Sequence, residues 1–282
     1  MPQLDYTAAR AWITRWDRQQ ECYLPDREDR FTALIDTVEV ATERPDPLLL
    51  DLGCGPGSLA ERLLDRLPGA SVVAVDADPL LLALGQAAHG GHAGLRFVDR
   101  DLRNPGWSSA LGLDQPADAA VSTTALHWLT EEQLRSVYAE VASVLRPGGL
   151  LLNGDHFVLD EPWLARLERG LLGAQHRRVA GDGAGAQPDG MSGGAHGRSA
   201  AEHGAGNGRG ENWSQWWAAV AADPAMSELT AERARRWAAA ERHGTAGGRL
   251  DAHVEALEAA GFRQIGTLWQ YGENRLLCAL RP

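Results

Sequence analysis

The sequence contains no lysine, so all 27 of its basic residues are arginines, and 38 acidic residues give a formal net charge of −11. A protein that binds nucleic acid needs a basic face to neutralise phosphates. No such face stands out in this acidic chain. The balance of charge therefore argues against a nucleic-acid partner.

Cysteine is also scarce, and long apolar runs are missing. Cys22, Cys54 and Cys278 are few, odd in number and widely spaced, which argues against a disulfide framework or a zinc site. No apolar run approaches the roughly 20 residues needed to span a bilayer. The N-terminus lacks the basic start and apolar stretch of a secretory signal. We therefore expect a cytoplasmic protein without a membrane segment.

Strand-like and helix-like stretches alternate through much of the chain. The strand-like runs are LLLDL, SVVAVD, LRFVD, DAAVST and GLLLNG, which begin at residues 48, 71, 95, 118 and 149. Apolar strands separated by helices predict an α/β fold, in which helices cover both faces of a parallel sheet. Two later runs, 262–270 and 274–280, are close enough to form an antiparallel hairpin, which makes a mostly parallel sheet of seven strands.

The clearest helix signal lies between the fourth and fifth of these strands. Thr130 and Gln133 form a capping-box pattern at its start. Pro147, Gly148 and Gly149 are expected to end this helix.

Two segments stand outside the alternating pattern, although the whole chain is predicted to be one domain. Residues 48–154 and 250–281 form its core, whereas 1–47 and 155–249 are expected to supply a helical lid. Within the insertion, the low-complexity, glycine-rich segment 173–211 is interpreted as a mobile loop. Three tryptophans follow it at helical spacing, and they either line a pocket or pack the lid onto the sheet: Trp213, Trp216 and Trp217.

Three glycines follow the first strand at alternate positions, in the stretch LLLDLGCGPGS. Gly53, Gly55 and Gly57, placed between a buried strand and a helix, allow a ligand to approach backbone N–H groups. A dinucleotide fingerprint requires its third glycine or alanine one place later than Gly57. Asp51, just before the glycines, would repel a pyrophosphate and favour a ligand that carries positive charge.

The stretch DLGCGPG resembles the first motif of class I S-adenosylmethionine-dependent methyltransferases, which have a Rossmann-like fold. The resemblance covers about residues 48–154 and 250–281, because further motifs follow in the same order. It implies S-adenosylmethionine as the cofactor. The glycine loop would lie against the amino-acid end of this cofactor, and Asp51 would help to hold the cationic end.

Further cofactor contacts are expected after the second, third and fourth strands. Asp76 closes the second strand, where a carboxylate can accept hydrogen bonds from both ribose hydroxyls, a feature that also suits NAD. The resemblance implies that an acid after the third strand binds the adenine amine; Asp101 fits best, and Asp99 is the reserve. A solvated loop acid is the other interpretation of either residue. The remaining contacts implied by the resemblance are Ala77, Leu102 and Thr123.

Catalytic candidates are sought at the carboxyl ends of the strands, where the crevice of such a sheet lies. His127 follows strand four, and Asp155 and His156 follow strand five. A histidine can act as a base if the nucleophile must lose a proton, and Asp155 can orient one. The alternatives are that His127 packs beneath the cofactor and that His156 is structural.

The other histidines carry weaker signals. His243, in the lid, is a lesser catalytic candidate. The remaining three in the insertion are interpreted as scattered loop histidines, and no metal site is predicted: His176, His196 and His203.

The range of possible methyl acceptors is narrowed mainly by sequence signatures that are missing. Enzymes that methylate amino groups of nucleic acids carry Asn/Asp-Pro-Pro-aromatic after strand four, where residues 122–125 read STTA; cytosine-carbon enzymes need a Pro-Cys pair, and none occurs. A small-molecule acceptor is therefore expected, and O-methylation is the commonest reaction of the family. Two alternatives stay open: a nicotinamide-dependent oxidoreductase, and a non-catalytic regulatory protein that binds S-adenosylmethionine. The sequence gives no indication of the oligomeric state.

Overall fold

Seven strands form one sheet in a computed structural model that describes residues 4–180, 211–239 and 248–282. The strands are β1 Leu48–Leu52, β2 Ser71–Asp76, β3 Leu95–Asp99, β4 Ala117–Thr123, β5 Leu145–His156, β6 Arg263–Tyr271 and β7 Asn274–Leu280. Their order across the sheet is β3-β2-β1-β4-β5-β7-β6. Strands β1 to β5 pair in parallel, and β7 pairs antiparallel with both β5 and β6. The predicted Rossmann-like sheet with its C-terminal hairpin is confirmed.

Helices cover both faces of this sheet, and β1 is buried on both sides because of this packing. The helices are α1 Tyr6–Glu21, α2 Arg27–Thr42, α3 Ser58–Arg66, α4 Pro79–His89, α5 Glu131–Val144, α6 Pro162–Ala180, α7 Trp213–Ala222, α8 Ser227–Ala239 and α9 Leu250–Ala259. Successive side chains of a strand point to opposite faces. Leu50 and Leu52 accordingly pack with α5 and α9, and Leu49 packs with α2 and α3. None of the described helices has both the length and the apolar character needed to cross a membrane.

The helix α5 begins as predicted, and the strand that follows it begins earlier than predicted. Thr130 and Gln133 exchange the two hydrogen bonds of a capping box. The helix stops at Val144, and β5 begins at the next residue and runs through Pro147. The helix thus ends before Pro147, as predicted, but β5 begins at Leu145, ahead of the predicted strand start at Gly149. A proline disfavours helical backbone in the residue before it, so the chain is already extended when it reaches Pro147.

The first eight residues of the predicted loop 173–211 are helical, which corrects that part of the prediction. Helix α6 continues to Ala180, so residues 173–180 are helical. Leu, Ala, Gln and Arg favour a helix, and together they outweigh Gly170 and Gly173, each of which costs about 1 kcal/mol relative to alanine. Residues 181–210, with His196 and His203, lie outside the described residues, as does His243.

The tryptophans of α7 pack against the N-terminal helix α1. Trp216 is fully buried, with its ring centroid 5.7 Å from that of Trp12 and 5.0 Å from that of Trp16. Trp213 and Trp217 also contact Trp16. The three tryptophans of α7 therefore pack this segment onto α1, a helix of the N-terminal lid segment, whereas the packing interpretation had placed them on the sheet.

Candidate functional site

The three glycines of the loop after β1 have different surroundings. All three have positive φ: 70° at Gly53, 55° at Gly55 and 89° at Gly57. A Cβ added to Gly53 would lie 2.4 Å from Cβ of Ala125, and one added to Gly57 would lie 2.8 Å from the ring of Phe97. At Gly55 the nearest atom would be 3.8 Å away. Packing therefore requires Gly53 and Gly57, whereas a Cβ at Gly55 would make only ordinary van der Waals contact with Trp16 and Leu81.

Gly55 lines a cleft that opens to solvent. The atom nearest to a Cβ built on Gly55 is Cζ2 of Trp16, which belongs to α1. The cleft thus lies between the glycine loop and the N-terminal helices. The polar residues that line it include Gln20, Arg27, Ser58, Thr123 and Thr124.

Asp51 is a buried carboxylate beside this loop. The residue is 1% exposed, and neither carboxylate oxygen has a hydrogen-bond partner among the described residues. Burial, and then the nearby Asp76 carboxylate, raise the pKa of Asp51 to about 7. A buried carboxylate without a partner is costly, and a cationic ligand group would relieve that cost.

Asp76 supports the loop through its own carboxylate. Oδ2 accepts a hydrogen bond from the backbone N–H of Gly55 at 2.7 Å, and Oδ1 accepts one from Asp78 at 2.8 Å. Burial raises the pKa of Asp76 to about 6, although these backbone hydrogen bonds oppose the shift. Asp76 thus holds Gly55 in place, and its contact with ribose stays a prediction.

Helix α8 covers the residues predicted for the adenosine half. Arg236 of α8 donates to both carboxylate oxygens of Asp99, at 2.7 and 2.8 Å, and to the carbonyl of Ala77 at 3.1 Å. Arg103 binds Asp101, and the side chain of Leu102 packs against the core. Both acids are therefore paired with arginines, and their assignment to adenine stays a prediction.

The three catalytic candidates meet at the carboxyl ends of β4 and β5. His127 Nδ1 lies 2.8 Å from Oδ1 of Asp155, which also accepts the backbone N–H of His156 at 2.8 Å. Asp155 is fully buried; burial alone would raise its pKa, but His127, His156 and Arg30 hold that pKa well below its usual range. Asp155 is therefore an ionised partner that orients His127.

His156 and His127 differ in their surroundings. Burial lowers the pKa of His156 to about 4, so its ring is neutral near pH 7. Its Nδ1 lies 3.8 Å from a carboxylate oxygen of Glu273. The ring of His127 lies 4.9 Å from that of the exposed Trp128. The structure thus brings the candidates together, and their catalytic roles stay predictions.

Two arginines of α2 belong to the site, although the sequence did not single them out. Arg30 is fully buried, and its Nη2 donates to Thr123 Oγ1 at 2.7 Å and to Thr124 Oγ1 at 2.6 Å. Arg27, 5% exposed, lines the cleft and donates to Asp17 at 2.9 Å. The available signal was an arginine on the face of α2 that also carries Phe31 and Leu34. The absence of lysine makes any one arginine less conspicuous.

Of the three histidines interpreted as scattered loop residues, His176 is the one that the structure describes. It lies on α6, and its Nε2 is 3.4 Å from the carbonyl oxygen of Tyr23. Across the described ranges, no three His, Cys, Asp or Glu side chains are grouped so that they could hold a metal ion.

Comparison with known proteins places the core in a family. A family model described as a methyltransferase domain matches residues 49–149. Trans-aconitate 2-methyltransferase of Azoarcus sp. (strain BH72) is 31% identical over 54% of this chain and 59% of its own length. The Streptomyces avermitilis enzyme of the same name is 35% identical over 42% of this chain and 43% of its own. The chain thus spans less than two thirds of these curated relatives.

A solved structure supports the fold. A protein from Bordetella parapertussis, described as a possible exported protein, matches with a TM-score of 0.50 and 18% identity, over 90% of this chain and 67% of its own. At that identity the likeness concerns the fold alone. The motif order, the sheet and the family match agree, and the resemblance is confirmed. Residues 49–149 are a methyltransferase domain of the class I, S-adenosylmethionine-dependent type.

Proposed function

We propose that the protein transfers a methyl group from S-adenosylmethionine to an oxygen atom of a small-molecule acceptor. The observation that carries this proposal is the buried Asp51, which has no positively charged partner among the described residues, beside Gly55, which lines the cleft. An anionic pyrophosphate would be repelled by Asp51, whereas the cationic end of S-adenosylmethionine would supply the missing charge. The donor set therefore fits this cofactor better than NAD.

The residues of the chain divide into binding and proton-handling groups. When bound, S-adenosylmethionine supplies an activated methyl group, so correct positioning of the acceptor accounts for much of the rate. Gly55 allows close approach, Asp51 holds the cationic end, and Asp76 fixes the loop. His127, whose Nδ1 is bound to Asp155, keeps Nε2 to accept a proton from an acceptor hydroxyl.

Support for the acceptor class comes from two sources. The sequence after β4 lacks the signature of enzymes that methylate nucleic-acid amino groups, and the relatives are named for trans-aconitate, a small carboxylic acid. Trans-aconitate is therefore the first acceptor to test, alongside small hydroxyl compounds.

Calorimetry with three ligands tests the proposal. S-adenosylmethionine and S-adenosylhomocysteine should bind the purified protein, and NAD should not. Binding of NAD with neither adenosyl ligand would instead support an oxidoreductase and refute the proposal. Mass spectrometry of reaction mixtures should then detect a product heavier by one methyl group. Cofactor binding without methylation of any acceptor would favour the regulatory alternative.

Cofactor binding is also expected to release a proton from Asp51. Because the pKa of Asp51 is raised to about 7, this carboxyl is mostly protonated at roughly pH 6. A bound cation favours the ionised form, so affinity should rise with pH up to about 7. Calorimetry in buffers of different ionisation enthalpy measures the protons released. Asp51→Asn should release fewer protons at roughly pH 6, and equal release by the two proteins would contradict this assignment.

A further inference from the structure

One wall of the cleft is rich in hydrogen-bond donors. Its single charged lining residue within the described chain is Arg27, and no acid lines it. Arg27 is largely buried, and its Nη1 has no hydrogen-bond partner among the described residues. The carboxylate of Glu28 lies 3.8 Å from this nitrogen, beyond hydrogen-bond distance. Nη2 of Arg27 already pairs with Asp17, so Nη1 is the guanidinium nitrogen without an acceptor, and an anionic group of a ligand in the cleft would supply one.

The two threonines beside Arg27 gain donor character from Arg30. A guanidinium has donors only, so Thr123 and Thr124 accept from Nη2 of Arg30. Their oxygens are 3.3 Å apart, so one hydroxyl can donate to the other. The second hydroxyl proton then has no acceptor in the hydrogen-bond network. Since both side chains line the cleft, that proton is available to a ligand.

Asn274 and Asp26 fix the orientation of the Arg30 guanidinium on the side away from the threonines. Arg30 Nη1 donates to Oδ1 of Asn274 at 2.7 Å, and Nδ2 of Asn274 donates to Asp26 at 3.0 Å. Arg30 packs directly over Gly154, where glycine is required because a Cβ would lie 2.9 Å from Cδ of Arg30. The threonine hydroxyls are thus held as acceptors toward Arg30 and as a donor toward the cleft.

We propose that this wall is a carboxylate-binding subsite, in which Arg27 supplies the positive charge and the Thr123–Thr124 pair supplies a hydroxyl donor. The inference rests on the proposed function, since the carboxylate belongs either to the amino-acid end of the methyl donor or to the acceptor. A protonated ligand amine at this position would be repelled by the Arg27 guanidinium, so an amino acceptor is disfavoured here.

Two pairs of ligands distinguish the sources of the carboxylate. In the first arm, wild type and Arg27→Gln are titrated by calorimetry with S-adenosylhomocysteine and with its decarboxylated counterpart. In the second arm, protein saturated with S-adenosylhomocysteine is titrated with trans-aconitate and with its uncharged trimethyl ester. A carboxylate in the subsite predicts a loss of roughly 10- to 100-fold for the charged member of one pair only.

A matched arginine serves as the control. Arg62 lies 3.7 Å from Asp17 and stacks on Phe31, as Arg27 does, but it does not line the cleft. Arg62→Gln should therefore leave both ligand pairs without a selective change. If Arg27→Gln fails to fold, Thr123→Val replaces it. This variant should show a selective loss of roughly 5- to 20-fold, and Thr123→Ser should restore affinity by restoring the hydroxyl.

The outcomes separate this inference from the proposed function. A selective loss in either arm supports the subsite and names the source of its carboxylate. Equal changes, or none, within both pairs would overturn it, even though wild type binds S-adenosylhomocysteine. Failure of wild type to bind that ligand would instead refute the proposed function.

Discussion

Gly55→Arg is expected to abolish binding of S-adenosylhomocysteine while the protein remains folded. The new side chain would start 3.8 Å from the nearest neighbour and extend into the cleft, the volume assigned to the cofactor. A loss of at least roughly 100-fold in affinity is expected, about 3 kcal/mol. Arginine in the left-handed backbone conformation at φ 55° should also lower the free energy of unfolding by about 1–2 kcal/mol. Calorimetry and urea unfolding measure the two effects separately.

Gly53→Ala is the matched control, and its effects should be the reverse. One methyl group at this position would lie 2.4 Å from Cβ of Ala125, so the loop or β4 must shift. Together with the left-handed φ, this crowding should lower the free energy of unfolding by about 3 kcal/mol or more. The smaller substitution should therefore be the more destabilising one. Unchanged affinity in Gly55→Arg would show that the cofactor binds elsewhere.

His127→Gln should lower kcat by roughly 10²- to 10⁴-fold with a hydroxyl acceptor, the usual contribution of a general base. Glutamine keeps a hydrogen-bond donor near Asp155 but cannot take a proton at neutral pH. A carboxylate nucleophile is already ionised, so the same variant should lose less than about 10-fold with such an acceptor. Calorimetry should show unchanged affinity for S-adenosylhomocysteine.

The pH profile separates a proton-transfer role from a structural one. In wild type, kcat for a hydroxyl acceptor should fall toward acid pH, as general-base catalysis requires, and this dependence should disappear in the variant. The exposed His92 offers a control, because His92→Gln should change neither kcat nor the profile. Equal losses with hydroxyl and carboxylate acceptors would indicate that His127 only packs in the site.

The sheet and the glycine loop could be predicted from local patterns. Five short apolar runs, a capping box at Thr130 and a closely spaced final pair of strands each depend on neighbours in sequence. The different roles of the glycines could not be predicted in this way. Glycine is required at position 53 because of the contact with Ala125, and at position 57 because of the contact with Phe97. Both contacts depend on packing between distant segments.

The polar wall of the cleft was missed for the same reason. Arg30 forms its hydrogen bonds with two threonines after β4 and with Asn274 on β7. Nothing near Arg30 in the sequence indicates those partners. The pairing of His127 with Asp155 was easier to anticipate, because the carboxyl ends of adjacent parallel strands meet at one edge of the sheet.

The insertion of β7 between β5 and β6 has a consequence for how the protein matures. Arg30 and Asn274 are 244 positions apart, yet their contact fixes the donor wall of the cleft. During synthesis the chain emerges from its N-terminal end, and contacts of such long sequence separation form late in folding. Ligand binding to this wall therefore cannot assist the earlier folding steps; it stabilises the protein only after β7 has been synthesised and paired.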